Sequence, residues 1–176
     1  MKELLDILDE NGNLTGESKP RSIVHTTGLW HRTVHIYFYR KTNNGIELLV
    51  HHRSATKDLN PNKWDTRFGG HIKAGETLEL ALKNELREEV GIEANPNKLT
   101  EGPIHKREKF PNSEFTNVYF YEFDGDTNSL KFNDGEVQAV KWMNVEDVLN
   151  SITNSPEEWS SRPTGFAEIK NLLQQL

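Results

Sequence analysis

The sequence predicts a mixed α/β (α+β) fold with a mixed central sheet, read as one domain over residues 1–176. Three observations predict it. Runs rich in β-branched and aromatic residues, TVHIYFYR at 33–40 above all, alternate with turn-forming residues. The segment Thr77 to Val90 is built of helix formers and carries both helix-end signals. A second apolar helical repeat closes the chain. A chain of 176 residues buries roughly 70% of its unfolded surface, enough for a core without staples.

Leu4 to Leu8 reads as a short strand, returned by the turn Asp9-Glu10-Asn11-Gly12-Asn13 into Leu14 to Lys19. These strands lie in an N-terminal extension, residues 1–30. Pro20 to His25 reads either as a short helix or as an irregular crossing. Thr33 to Arg40 is the strongest strand, and Asn43-Asn44-Gly45 turns it into Glu47 to Arg53. Ser54 to Lys63 is a polar loop broken by Pro61. Trp64 to Phe68 is a short extended stretch ending at Gly69-Gly70. Thr77 is placed to cap the helix that follows, and Gly91 sits where a C-cap glycine belongs. Ile104 to Phe110 and Asn117 to Phe123 read as strands around a loop, Pro111 to Glu114. Asp124-Gly125-Asp126 is a turn, Glu136 to Met143 an extended stretch and Val145 to Asn150 a short helix. Ser151 to Pro163 connects to a C-terminal helix over 164–176, with Phe166, Ile169, Leu172 and Leu173 at helical spacing.

Composition excludes several classes of protein. Hydrophobic residues make up 34% and charged residues 27%, which is neither a disordered nor a collagen-like mix. The net charge of −6 argues against a strongly basic nucleic-acid binder. The absence of cysteine removes disulfides, thiolate zinc sites and cysteine nucleophiles. It also suits a reducing compartment. No apolar run approaches the roughly 20 residues of a membrane helix, and Met1 to Glu10 lacks a basic n-region. These features lead to the expectation of a cytoplasmic protein, monomer or homodimer, with no membrane or nucleic-acid partner.

The chemistry concentrates in GGHIKAGETLELALKNELREEVGI, residues 69–92. On a helical wheel Glu85, Glu88 and Glu89 share one face, beside an apolar stripe of Leu78, Leu82, Leu86 and Val90. Each like-charged i,i+4 pair costs a few tenths of a kcal/mol. A shared divalent cation would relieve that repulsion. Hard oxygen ligands point to Mg²⁺, with Mn²⁺ second, and Mg²⁺ points to a phosphate-bearing ligand. The alternative is a solvated acidic helix face. Gly69, Gly70 and Gly75 weigh against it, because they let the backbone turn sharply and aim a carbonyl at a bound metal.

This segment resembles the Nudix box: Gly, five residues, Glu, seven residues, then Arg-Glu-aliphatic-any-Glu-Glu-any-Gly-aliphatic. From Gly70, eight of nine specified positions match, Glu76, Glu85, Leu86, Glu88, Glu89, Gly91 and Ile92 among them. Asn84 stands at the box arginine. The resemblance implies an α/β/α sandwich and metal-assisted hydrolysis of a nucleoside diphosphate derivative. It implies that Gly69 gives a carbonyl and that Glu85, Glu88 and Glu89 hold Mg²⁺. One of these acids or a later Glu, with Glu136 first and Glu114 second, would deprotonate the attacking water. Glu76 would brace the loop-helix turn. Asn84, with Arg87 at i+3 as a partial substitute, would reduce or alter catalysis rather than abolish metal binding.

The stretch DILDENGNLTGESKPRSIVHTTGLWHRTVHIYFY resembles the branch that includes type I isopentenyl diphosphate isomerase. That resemblance implies metal-binding roles for His25, His35 and His71, with Glu114 at a catalytic position. The isomerase has a catalytic Cys where Gly69 stands here, and it lacks an intact acidic helix. His31, Thr33 and His35 alternate on one side of a strand, and such histidines often only hydrogen-bond. Arg67 and Lys73 flank the glycine turn and, with Arg53 and Glu114, are candidate substrate contacts. His51-His52-Arg53 reads as surface or substrate rim. Trp30 and Phe110 are candidates for stacking a base. The function expected is Mg²⁺-dependent hydrolysis of a small-molecule diphosphate, most simply a nucleotide. The alternatives are an isoprenoid-diphosphate enzyme or binder and a non-catalytic nucleotide-binding module.

Overall fold

The computed structural model describes residues 3–57, 59–110, 112–132 and 135–176. Its strands are β1 (Leu4–Leu8), β2 (Leu14–Pro20), β3 (Trp30–Thr42), β4 (Gly45–Arg53), β5 (Trp64–Asp65), β6 (Leu99–Lys109), β7 (Asn112–Glu122) and β8 (Val137–Asn144). Its helices are α1 (Arg21–Thr27), α2 (Leu78–Glu85), α3 (Val145–Asn154) and α4 (Pro163–Leu173). The strands form one mixed sheet of eight. None of the described helices is long and apolar enough to cross a membrane.

β3 is the axis of the sheet. Its apolar residues on both faces make it a central strand rather than a half-exposed one. It pairs parallel with β7 from Trp30 to Tyr39 and antiparallel with β4 only from Tyr39 to Thr42. Elsewhere β3 and β4 diverge, and residues 64–72 fill the gap. β5 pairs with β4 through His51 and His52. Phe68 and Ile36 exchange backbone hydrogen bonds of 2.8 and 2.9 Å. The Val34 N–H donates to the Gly70 carbonyl at 2.9 Å, and the Ile72 N–H to that of Arg32 at 3.0 Å.

Alternation along β3 sends side chains into two cores. Val34, Ile36 and Phe38 meet Phe68, Leu82, Leu86 and Val90. Tyr37 and Tyr39 meet Val118, Phe120 and the apolar sides of α3 and α4. These two layers bear out the expected sandwich. α1 resolves the ambiguity at residues 20–25. It is helical, closed by Gly28 in the left-handed region, and buries Val24 against Leu5 and Ile7. Thr77 caps α2 by accepting from the Leu80 N–H at 3.2 Å.

Four expectations are corrected. The helix expected over 77–90 is α-helical only to Glu85, and Leu86–Val90 is a wider π turn. Gly91, left-handed at φ 72°, reaches back five residues to the Leu86 carbonyl and closes that turn. Glu114 does not lie in a loop, because β7 begins at Asn112; Pro111 lies outside the described residues. β6 begins at Leu99, five residues before the expected Ile104, because Gly102 and Pro103 occupy a bulge between Glu101 and Ile104 and masked the strand. α3 runs to Asn154 rather than Asn150.

Gly91 supports a stability prediction. A Cβ there would lie 2.6 Å from the Lys131 Cβ and 2.7 Å from its carbonyl oxygen, on a left-handed backbone. Gly91→Ala is expected to destabilise the protein by more than ~1 kcal/mol. At roughly 2–4 °C per kcal/mol for a chain of this length, differential scanning calorimetry would register the loss.

Candidate active site

The site begins where the 64–72 segment meets the helix. Gly69 sits at φ 132°, and a Cβ there would collide with the Val34 carbonyl. Gly70 packs on Glu85, with a built Cβ only 2.7 Å from Oε1. Only glycine permits the approach at Gly69, where the neighbour is backbone, whereas at Gly70 a side chain would push the Glu85 carboxyl aside. The Gly69 N–H donates to Glu89 Oε2 at 2.6 Å. Burial first, then the charges of Glu89 and Glu88, push the Glu85 carboxyl up to about 8. Glu88 differs: it is half-exposed, 3.9 Å from Lys73 and 3.5 Å from Arg87. The π turn replaces the regular helical wheel here, with Glu85 and Glu89 on the glycine loop and Glu88 toward the surface. This crowded, hard-oxygen donor set fits a divalent cation such as Mg²⁺.

The loop has its own brace. Asn84 Nδ2 donates to Glu76 Oε1 at 2.7 Å, and the Lys73 N–H donates to Glu76 Oε2 at 3.0 Å. Arg87 donates to Asn84 Oδ1 at 3.0 Å. Asn84 therefore bonds the loop, and Arg87 supports it from the helix surface.

A second cluster lies at the start of β3. His25, His31 and His71 offer ligand nitrogens within 4.8 Å of one another, which no other trio of described His, Asp or Glu residues does. His31, rather than the expected His35, completes the set. Its Nε2 is buried without a hydrogen bond and lies 3.9 Å from Glu114 Oε1. Burial, then the charges of His71 and His31, lower His25 to about 4, so its imidazole is neutral near pH 7. Glu3 lies 3.4 Å from His71 Nδ1. Three imidazoles with a carboxylate behind one of them fit a divalent transition cation.

Glu114 also borders a cavity of about 270 Å³ lined by His35, Tyr37, Arg67, Arg107 and Arg162, on the α4 side of the sheet. Arg67 lies 3.6 Å from Asp65 and donates to Ser161 Oγ at 3.3 Å. Burial alone would raise Asp65, but the charges of Arg67, His51 and Arg53 hold its carboxyl at about 2. Burial, with the Arg67 charge, keeps His35 neutral.

The other expected residues stand elsewhere. Arg53 bonds Asp65 at 3.1 Å and the carbonyls of Leu59 and Asn60, so it holds the 54–63 loop. Glu136 pairs with Lys57, and Lys73 faces Glu88 rather than the cavity. His51 is not at the surface; it is 4% exposed and packs on the Phe68 ring. Trp30 packs on Phe115 under the Lys106 ammonium, and Phe110 is 75% exposed. Sequence reasoning missed Arg107 and Arg162. Alternation on β6 and the start of α4 were their only signals, and neither says what lies opposite.

The raised carboxyl of Glu85 gives a signed prediction. Folding lifts its pKa from 4.5 to about 8, so its contribution to stability is full below pH 4.5 and is lost as pH rises toward 8. In EDTA, Glu85→Gln is expected to raise Tm at pH 8–9 by several degrees. The gain should vanish near pH 4.5, as thermal melts across that range would show.

The NUDIX domain family model matches residues 29–164. The chain is 34% identical to an uncharacterised Nudix hydrolase of Clostridium acetobutylicum, covering 87% of this chain and 75% of that protein. It is 34% identical to Nudix hydrolase 3 of Arabidopsis thaliana, covering 86% of this chain but only 20% of the plant protein. It is 26% identical to an isopentenyl-diphosphate Delta-isomerase of Aliivibrio fischeri, which aligns over nearly its full length. A crystal structure from Deinococcus radiodurans superposes with a TM-score of 0.71, at 24% identity and 98% coverage of both chains. The chain therefore belongs to the Nudix family, as a pyrophosphohydrolase-type enzyme in the branch that resembles the type I isopentenyl diphosphate isomerases.

Proposed function

We propose that this chain hydrolyses a diphosphate linkage in a nucleoside diphosphate derivative, with Mg²⁺ or Mn²⁺ as cofactor. The observation that carries this reading is the closure of Glu85 and Glu89 on Gly69-Gly70, with Glu89 bonded to the Gly69 N–H at 2.6 Å. Glu85, Glu88, Glu89 and the Gly69 carbonyl would hold the cation. Bound there, it would offset phosphate charge and lower the pKa of water. Glu136 is the candidate to complete this set and to take the proton from the attacking water, and its pairing with Lys57 links it to the 54–63 loop. Arg67 and Glu114 would contact the substrate in the α4-side cavity, and Lys73, beside Glu88, would contact it at the cation site. Arg53 would act on substrate by shaping the 54–63 loop.

A second reading, an isoprenoid-diphosphate enzyme or binder, is favoured by the imidazole trio and the isomerase relatives. Two features oppose it. No cysteine stands at Gly69 or elsewhere in the chain. The cavity wall carries three arginines, two histidines and two carboxylates among hydroxyl and apolar side chains, and an apolar isoprenoid tail would desolvate those charged groups without return.

A phosphate-release screen decides between the readings. It runs nucleoside di- and triphosphates, nucleotide sugars, dinucleoside polyphosphates and isopentenyl diphosphate with Mg²⁺. Turnover on a nucleotide is expected, reduced at least ~100-fold by Glu89→Gln and by EDTA. Turnover that persists in EDTA would refute the reading.

A further inference from the structure

Residues 3–28 lie before the family match, yet the strand they contribute runs along the loop that carries the box. The Ala74 N–H donates to the Leu4 carbonyl at 2.8 Å, and Leu5 forms an antiparallel bridge with Lys73. Asp6 makes the side-chain contact. Its Oδ2 accepts from the Gly75 N–H at 2.9 Å and lies 3.5 Å from Arg32. Its Oδ1 accepts from Ser18 Oγ at 2.7 Å, which fixes the carboxylate from behind. The same Arg32 nitrogen reaches the Glu76 carbonyl at 3.5 Å. β1 is itself well anchored, with Leu5 fully buried and Ile7 5% exposed.

From the helix side the loop is held less firmly. Asn84 gives Glu76 one hydrogen bond from a neutral amide, where a guanidinium could give two charge-assisted bonds. The 71–76 loop joins the two glycines that touch Glu85 and Glu89 to the first turn of α2. If it slackens, the carboxylates lose their backing. We propose that Asp6 is a positioning residue for the cation site, taking up from the N-terminal strand the restraint that Asn84 supplies only in part. This rests on the reading that Glu85 and Glu89 hold the cation.

The test is a double-mutant cycle on the full chain, with Mg²⁺ alone titrated by calorimetry. Mg²⁺, a hard cation, does not favour the imidazole trio. Asp6→Ala is expected to weaken Mg²⁺ binding roughly 10-fold, the scale of a lost outer-shell partner. Asp6→Asn, which keeps an acceptor oxygen, should remain near the wild type. Asn84→Arg should restore most of the loss in the Asp6→Ala background, which a purely structural role would not allow. If Asp6→Ala does not fold, Asp6→Ser, too short to reach Gly75, makes the same comparison. Unchanged Mg²⁺ affinity with a lowered Tm, or equal losses in both backgrounds, would overturn the proposal alone. Mg²⁺ binding that survives Glu89→Gln would instead overturn the underlying assignment of the cation site, and the proposal with it.

Discussion

The structure depends on the docking of residues 68–72 onto the edge of β3. β3 and β4 pair only near the hairpin that joins them, and the gap beyond would leave buried backbone groups unsatisfied. The inserted segment supplies those partners through Phe68, Gly70 and Ile72. The same docking brings Gly69 so close to Val34 that no side chain fits, and presents its N–H to Glu89. Sheet continuity and site geometry are thus one constraint. A substitution that disturbs the pairing disturbs the carboxylates.

Electrostatics divides the site into two regimes. Around α2, Glu85 and Glu89 close on the glycine loop, and burial with the charges of Glu89 and Glu88 raises Glu85, so this corner of the fold favours positive charge. At the start of β3, three imidazoles crowd together, and burial keeps His25 neutral with a lone pair to offer. The first set suits a hard cation and the second a borderline one. The cavity on the α4 side follows a third pattern. Buried Asp65 lies between Arg67 and Arg53, both partly exposed, which preserves a polar wall at little cost in net charge.

The sequence alone made most of the fold legible. β-branched runs, Asn-Gly turns, the Thr77 cap and the Gly91 stop are local signals, and the structure follows them because local preference and packing agree there. The boundaries that failed were set by distant partners. β6 continues through Gly102 and Pro103 because β7 offers it a ladder on both sides of the bulge. Glu114 joins a strand because β3 pairs with it residue by residue.

The approach of Glu85 and Glu89 to the glycine loop was legible from their spacing, whereas the outward turn of Glu88 was not, since it follows from the widened turn at Leu86–Val90. Alternation likewise gave His31 and His35 the same face of β3. Which of the two joins His25 and His71 was beyond the sequence. His31 pairs in register with Glu114 and lies near α1, whereas His35 sits two pairs further along beside Arg67. Periodicity fixed which side chains share a face and which carboxylates share a helix. Register, the widened turn at Leu86–Val90 and the approach of the N-terminal strand to Gly75 were decided by tertiary structure alone, because each arises between segments far apart in the chain or from backbone geometry that no residue pattern encodes.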